Sequence, residues 1–548
     1  MRSLDCHAKI RDFALSKGFC LKKLLDNFTA LEQDQSINDD GSHVVEFVTS
    51  KGRVLGHRVE TADGGAFAVL GLPTARIAER FQPAVQADGW RGVRKSAQGP
   101  LAWQDAGRAG GAPMSERDSL TANVWLPAER SDTPAPVLIW VHGGAHLYGS
   151  NAHPLCDGAR LAAAHGIIVV SISYRLGALG YLRLDHLLGE RYADAGNLAL
   201  RDTLAGIEWV RDEIADFGGD PSRITVMGQS AGGVAVAALL AESTGDAPFQ
   251  RVIIESATAE RVHTLDEAAE VTAELLEELA GPRASAGRLL TASAADLIAA
   301  QERVVDRWRA TRRGPGIPFR PIVDHRFLHD VPLRSIAAGA GSGIDAIIGT
   351  NRNEASGYVD LLRLPDGEAL ATLDREVRAD GLNRTVDDYL AACAADDGIP
   401  PAPREALESY VADRLYRQPV SRLLDARRGA AANTYGYLFA WSRPDTAVWA
   451  RRAGHSLELP FVFRHLDDSD AAREELGDTP PPSLAAYMSE AWACFAAGGR
   501  PDTSSGPAWH PVGDTRSTMV FDESVILVDD PLAARRRFAR ADEGVPVS

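Results

Sequence analysis

Short apolar runs alternate with amphipathic stretches along most of this chain. Residues 137–141 form a continuous apolar run and 167–172 a second one broken only by Ser171, the pattern of strands covered on both faces. Shorter runs at 224–227, 252–254, 346–348 and 435–439 predict further strands. Between them, Leu204, Ile207, Trp209, Val210 and Ile214 recur at helical spacing, in a stretch that Gly218 and Gly219 would end. Residues 234–240 predict a helix of small and apolar side chains. Strand–helix alternation from residue 43 onward predicts an α/β fold, with a mostly parallel twisted sheet and helices on both faces. Two charged, alanine-rich stretches near 264–310 and 366–430 lack strand periodicity and read as helical insertions over one end of the sheet. The proline-rich pieces 400–403 and 480–482 read as loops.

Residues 1–42 have a different character. Five of the six lysines fall within the first 51 residues, and arginine carries nearly all the positive charge elsewhere. Leu21, Leu24, Leu25, Phe28 and Leu31 stand at helical spacing there, which predicts a short amphipathic helix in an N-terminal extension. Residues 43–548 are expected to form one large domain.

Composition narrows the function classes. The 548 residues are 45% hydrophobic and 24% charged, an ordinary mixture for a globular protein. A formal net charge of −17 argues against a nucleic-acid or anionic-membrane partner. No run reaches the roughly 18 apolar residues of a membrane span. The first 30 residues lack a basic start, an apolar core and a small-residue cleavage site in that order. Cys6, Cys20, Cys156, Cys393 and Cys494 are odd in number and widely spaced, without a metal-ligand pattern. Reduced thiols in a cytoplasmic protein are the expectation, with a monomer as the default assembly.

The chemistry enters at Gly228-Gln229-Ser230-Ala231-Gly232, directly after one predicted strand and directly before a small-residue helix. The bare pentapeptide is a moderate signal, but its strand–turn–helix setting is the one a G-x-S-x-G nucleophile elbow requires. A serine hydroxyl needs a base to accept its proton, and a carbonyl under attack needs donors for its oxyanion. The glycine-rich turn His142-Gly143-Gly144-Ala145, after the 137–141 strand, is placed to offer N–H groups. His142 and His146 are four apart, a spacing two metal ligands share on a helix. Gly143 and Gly144 between them disfavour a helix, so no metal or cofactor is expected.

With both motifs in place, the chain resembles the type-B carboxylesterase family, which includes the cholinesterases and bacterial para-nitrobenzyl esterases. The resemblance runs from about residue 45 to 535. It follows Gly71-Leu72-Pro73, Arg80-Phe81-Gln82-Pro83 and Asn123-Val124-Trp125-Leu126-Pro127, then Tyr174-Arg175-Leu176-Gly177 and the segment from Asn197 to Asp202. Glu208-Trp209-Val210-Arg211 and Phe217-Gly218-Gly219-Asp220-Pro221 precede the elbow. Gly349-Thr350-Asn351-Arg352-Asn353-Glu354 and Gly454-His455-Ser456-Leu457-Glu458-Leu459-Pro460 follow it.

The resemblance implies the α/β-hydrolase fold and a Ser230–His455–Glu354 triad cleaving small carboxylic esters through an acyl-enzyme. It also implies an oxyanion hole from the N–H groups of Gly144, Ala145 and Ala231. The sequence departs from the family's pattern in places. Gln229 stands where glutamate is usual, which weakens the case for a choline ester. Asn353 and Ala355 flank the acid in place of aspartate and glycine. His146 replaces an aromatic residue beside the oxyanion turn, so His146 and Gln229 are candidate pocket residues. Ala102 and Ser119 occupy positions where many relatives place a disulfide. Carbamate or amide hydrolysis by the same triad is the alternative activity. A metal-dependent hydrolase and a non-catalytic binding relative are the remaining alternatives.

Overall fold

The computed structural model describes residues 36–37 and 43–540, apart from 130, 244, 312–315, 358–363, 444–451, 467–468 and 478. The helix expected near residues 21–31 lies outside the described residues. Ser36 and Ile37 pair antiparallel with Val44 and His43.

Two-residue connections can join only antiparallel neighbours, because a parallel crossover needs a dozen or more residues. Hence β1 (His43–Thr49), β2 (Gly52–Thr61) and β3 (Gly64–Pro73) form a meander, and β3 pairs antiparallel with β4 (Thr121–Pro127). This corrects the expectation that strand–helix alternation starts at residue 43. It starts only with β5 (Ala135–Val141) and β6 (Ile168–Ile172), which flank helix α1 (Ala159–His165).

After β6 come α2 (Leu198–Glu213), β7 (Gly219–Gln229), α3 (Ala231–Ala241) and β8 (Arg251–Glu255). Gly218 takes φ 86° between α2 and β7, so the glycine predicted to stop the helix does so, while Gly219 opens the strand. β9 (Asp345–Asn351), β10 (Thr434–Phe439) and β11 (Ser517–Phe521) extend the parallel block, and β12 (Val525–Asp529) closes it antiparallel. The spatial order is β1-β2-β3-β4-β6-β5-β7-β8-β9-β10-β11-β12. Chain order reverses around β5, and crevices at such switch points lie beyond the carboxyl ends of the strands.

Side chains alternate between two cores, as strands covered on both faces require. Val137, Ile139 and Val141 enter one core with Ile224, Val226, Val252 and Ile254. Leu138 and Trp140 enter the other with Met227, Ile253 and Ile347.

The two predicted insertions are helical. The first holds α4 (Leu265–Ala280) and α5 (Ala294–Thr311). The second holds α6 (Asp366–Ala379), α7 (Val386–Asp397), α8 (Pro403–Ala412), a single π turn at Asp413–Arg417, and α9 (Gln418–Ala426). Pro403 and Pro482 were expected in loops, and each instead opens a helix, α8 and α10 (Pro482–Gly498). At the first helical position proline's missing N–H has no partner to lose, and its fixed φ suits the turn.

Candidate active site

β5 and β7 are neighbours in register, with Gly228 opposite Val141. The residues that follow each strand therefore emerge side by side. Ser230 sits between β7 and α3 at φ 55° and ψ −122°, outside the regions that L-residues favour. Its N–H donates to the Glu255 carbonyl at 2.9 Å, which ties the elbow to the end of β8. A Cβ on Gly228 would lie 2.5 Å from the Gly232 backbone, and one on Gly232 only 2.1 Å from the Val141 carbonyl oxygen. The turn closes only because both residues are glycine.

The turn after β5 packs directly on this elbow. A Cβ at Gly143 would meet Gln229 Oε1 at 2.8 Å and Ser230 Cβ at 3.2 Å. Gly144, Ala145 and His146 follow at φ 119°, 52° and 62°, a left-handed run that turns the backbone around. The Gly144 carbonyl accepts from Leu147 and Tyr148, and the His146 carbonyl from Gly177 at 2.6 Å. Among the described residues, the N–H groups of Gly144, Ala145 and Ala231 donate to no protein acceptor. His142 makes no helix face with His146. Its Nδ1 meets the Gly143 carbonyl at 2.8 Å, and its ring stacks on Tyr174.

Glu354 follows β9 at the same end of the sheet. Its side chain is fully buried, and Oε1 accepts from the Asn351 N–H at 2.8 Å. Oε2 lies 2.6 Å from His455 Nδ1. With Nδ1–H donated to the carboxylate, Nε2 is free to accept, and it meets Gln229 Nε2 at 3.3 Å. Burial pulls the His455 pKa down, but the bond and charge of Glu354, with the charge of Glu458, outweigh it and raise the pKa above 6.5. The His455 ring also lies against Tyr416, with centroids 4.8 Å apart.

Glu458 is buried behind this pair. Burial, with the charge of Glu354, pushes it up to about 7, and Asn351 Nδ2 donates to it and to the Gly454 carbonyl. One asparagine thus ties Glu354, the loop that carries His455 and a second buried carboxyl together.

A cleft of about 450 Å³ opens here, lined by Ser230, Ala231, Ala145 and His146 on one side. Arg261, Ile317, Arg320, Leu415 and Tyr416 come from around the two insertions. Ser230, Ala231, Ala145 and His146, all named from sequence, share this cleft. His455, Glu354, Gln229 and Gly144 are not among the residues that line it; His455 touches the lining through Tyr416, and its Nε2 meets Gln229, the neighbour of Ser230. No hydrogen bond links Ser230 to His455 among the described residues, since Nε2 rests on Gln229 instead. His146 is buried, edge-on to Tyr181 at 5.1 Å, and burial with the charge of Arg320 holds it down to about 3. It is therefore neutral at physiological pH.

Sequence reasoning missed Asn351, Tyr416, Arg261 and Arg320. Asn351 lies inside a quoted family segment, where its place at the end of a strand was a usable signal. The other three lie in or beside helical insertions, where periodicity says nothing of which side chain turns toward the cleft.

A sequence profile of the carboxylesterase family matches residues 42–526. The chain belongs to the carboxylesterase family. Within this family it is 36% identical to the para-nitrobenzyl esterase of Bacillus subtilis (strain 168) over 433 residues, 78% of this chain and 83% of that one. It is 30% identical to a fumonisin B1 esterase of Sphingopyxis macrogoltabida, over 85% of each chain. A crystal structure of a Geobacillus stearothermophilus carboxylesterase superposes with a TM-score of 0.75 at 30% identity, covering 90% of this chain and 99% of that one. The family and these relatives make the chain a carboxylic-ester hydrolase of α/β-hydrolase fold.

Proposed function

We propose that the chain hydrolyses small carboxylic esters through an acyl-enzyme on Ser230, with His455 as base and Glu354 as the acid that orients it. The observation that carries this reading is the 2.6 Å bond between His455 Nδ1 and a fully buried Glu354, beside the strained elbow that presents Ser230. Nε2 turns from the Gln229 amide to the hydroxyl one residue on, and takes its proton as Oγ attacks the ester carbonyl. Glu354 holds the ring in the tautomer that leaves Nε2 unprotonated and stabilises the imidazolium that forms. The N–H groups of Gly144, Ala145 and Ala231 stabilise the oxyanion, a contribution of roughly 3–4 kcal/mol for a single such donor in comparable sites. The alcohol departs with the proton from His455, and water hydrolyses the acyl-enzyme with the same groups in reversed roles.

Buried Cys156 and Cys393 with free thiols, and Ala102 and Ser119 at the family's disulfide positions, fit a cytoplasmic enzyme.

The test is steady-state hydrolysis of p-nitrophenyl butyrate by wild type and Ser230→Ala. The variant should lose activity by about a thousandfold or more while keeping its circular dichroism spectrum. Undiminished hydrolysis in a folded variant would remove Ser230 from the mechanism.

A further inference from the structure

The chain carries a net charge of −17, yet two guanidinium groups line the cleft that holds Ser230. Several fully buried arginines of this protein are matched by carboxylates: Arg175 by Asp202, Arg417 by Asp413, and Arg535 by Asp396 and Asp397. Arg427 has no carboxylate but bonds to Thr434 and to the Gly341 and Ile344 carbonyls. Arg261 and Arg320, both half-buried, are matched less fully. Among the described residues, no carboxylate forms an ion pair with either.

Their bonds leave donors unused. Arg261 Nη2 donates to the Leu415 carbonyl, and its guanidinium lies over the Tyr416 ring, 6.0 Å from the centroid. Arg320 Nη2 meets His263 Nδ1 at 3.2 Å, while its Nε is buried without a partner. His263 Nε2 meets the Pro318 carbonyl at 2.8 Å, so this imidazole gives its one proton there and accepts from Arg320.

The nearest acidic groups are occupied elsewhere. Glu267 attracts Arg320, but its carboxylate closes the N-terminus of α4 through the Thr264 N–H and hydroxyl. Glu260 is held by Arg422 at 2.7 Å. Burial pulls Arg261 and Arg320 below the usual guanidinium range, Arg320 to about 10, with repulsion from Arg261 contributing. An anion seated between them would relieve both effects, and planar guanidinium groups match a carboxylate in geometry.

We infer that Arg261 and Arg320 form a carboxylate subsite beside Ser230, so that the preferred esters carry a second, ionised carboxyl group on the acyl or the alcohol part. This rests on the Ser230 ester-hydrolase reading and names its substrate class.

The test compares matched pairs of esters at low ionic strength with the full chain. Mono(4-nitrophenyl) adipate against its methyl-capped diester places the carboxylate on the acyl side. 4-Carboxyphenyl acetate against its methyl ester places it on the alcohol side. In one pair the anionic ester should have the higher kcat/KM, and Arg320→Gln should cut the anionic-to-neutral ratio roughly ten- to a hundredfold, mainly through KM. Arg320→Lys should restore part of that ratio. If Arg320→Gln does not fold, wild type still decides, because the anionic ester must win one pair and free adipate must inhibit competitively. Preference for the neutral ester in both pairs, or a ratio indifferent to Arg320→Gln in a folded enzyme, overturns the subsite. Wild type that cleaves no ester, or Ser230→Ala that cleaves the neutral esters undiminished, refutes the hydrolase reading instead.

Discussion

Ser230 at φ 55° holds a conformation that costs a non-glycine residue about 1–3 kcal/mol, and the packing around it has to hold it there. That packing leaves no room for a methyl group on either flanking glycine. Gly232→Ala drives a Cβ into the Val141 carbonyl at 2.1 Å, so it should destabilise the fold by at least about 1–3 kcal/mol, measurable by urea denaturation. The raised pKa of His455 makes a second prediction. The base must be neutral to act, so kcat/KM should fall on acidification, with its midpoint above pH 6.5 rather than at it. Glu354→Gln removes the main group that raises it and should move this limb to lower pH, with kcat down by about 10³–10⁴. Gln229→Glu sets a carboxylate against Nε2, now 3.3 Å from the amide, and should move the limb to higher pH. A limb that stays at one pH in all three proteins would contradict the assigned roles.

The strands that carry this site were legible because both of their faces are buried. Apolar runs marked β5 and β6, and glycines at fixed offsets marked the elbow between β7 and α3. The meander of β1 to β3 was not legible as such. Alternation does not reveal strand direction, and only the two-residue turns at 50–51 and 62–63 dictated it. Glu354 and His455 are individually bland in sequence, and the family resemblance supplied them. One buried contact ties together family segments that lie far apart in sequence. Arg175 binds Asp202 of α2 through two guanidinium bonds of 2.6 and 2.7 Å and its backbone N–H at 3.1 Å, and it also donates to the Gln82 carbonyl, which joins three of those segments. The pair is almost fully buried. Asp202→Asn leaves the Arg175 charge uncompensated and should cost about 3–5 kcal/mol in denaturant unfolding, without shifting the acid limb.

The whole chain divides its labour between a sheet that fixes the chemistry and insertions that shape access to it. The carboxyl ends of β5, β7 and β9 lead into the oxyanion turn, Ser230 and Glu354, and His455 follows β10. Leu415 and Tyr416 of the second insertion, with Arg261, Ile317 and Arg320 beside the first, line the rest of the cleft. Selectivity should therefore change with substitutions in the insertions, while turnover of the best ester depends on the sheet. No helix among the described residues is long and apolar enough to cross a membrane. The most direct test of the account is intact-protein mass spectrometry after reaction with a fluorophosphonate, followed by peptide mapping. It predicts one adduct per chain, on Ser230, lost in Ser230→Ala and formed in step with loss of esterase activity. An adduct on another residue, or full activity in protein labelled at Ser230, would contradict it.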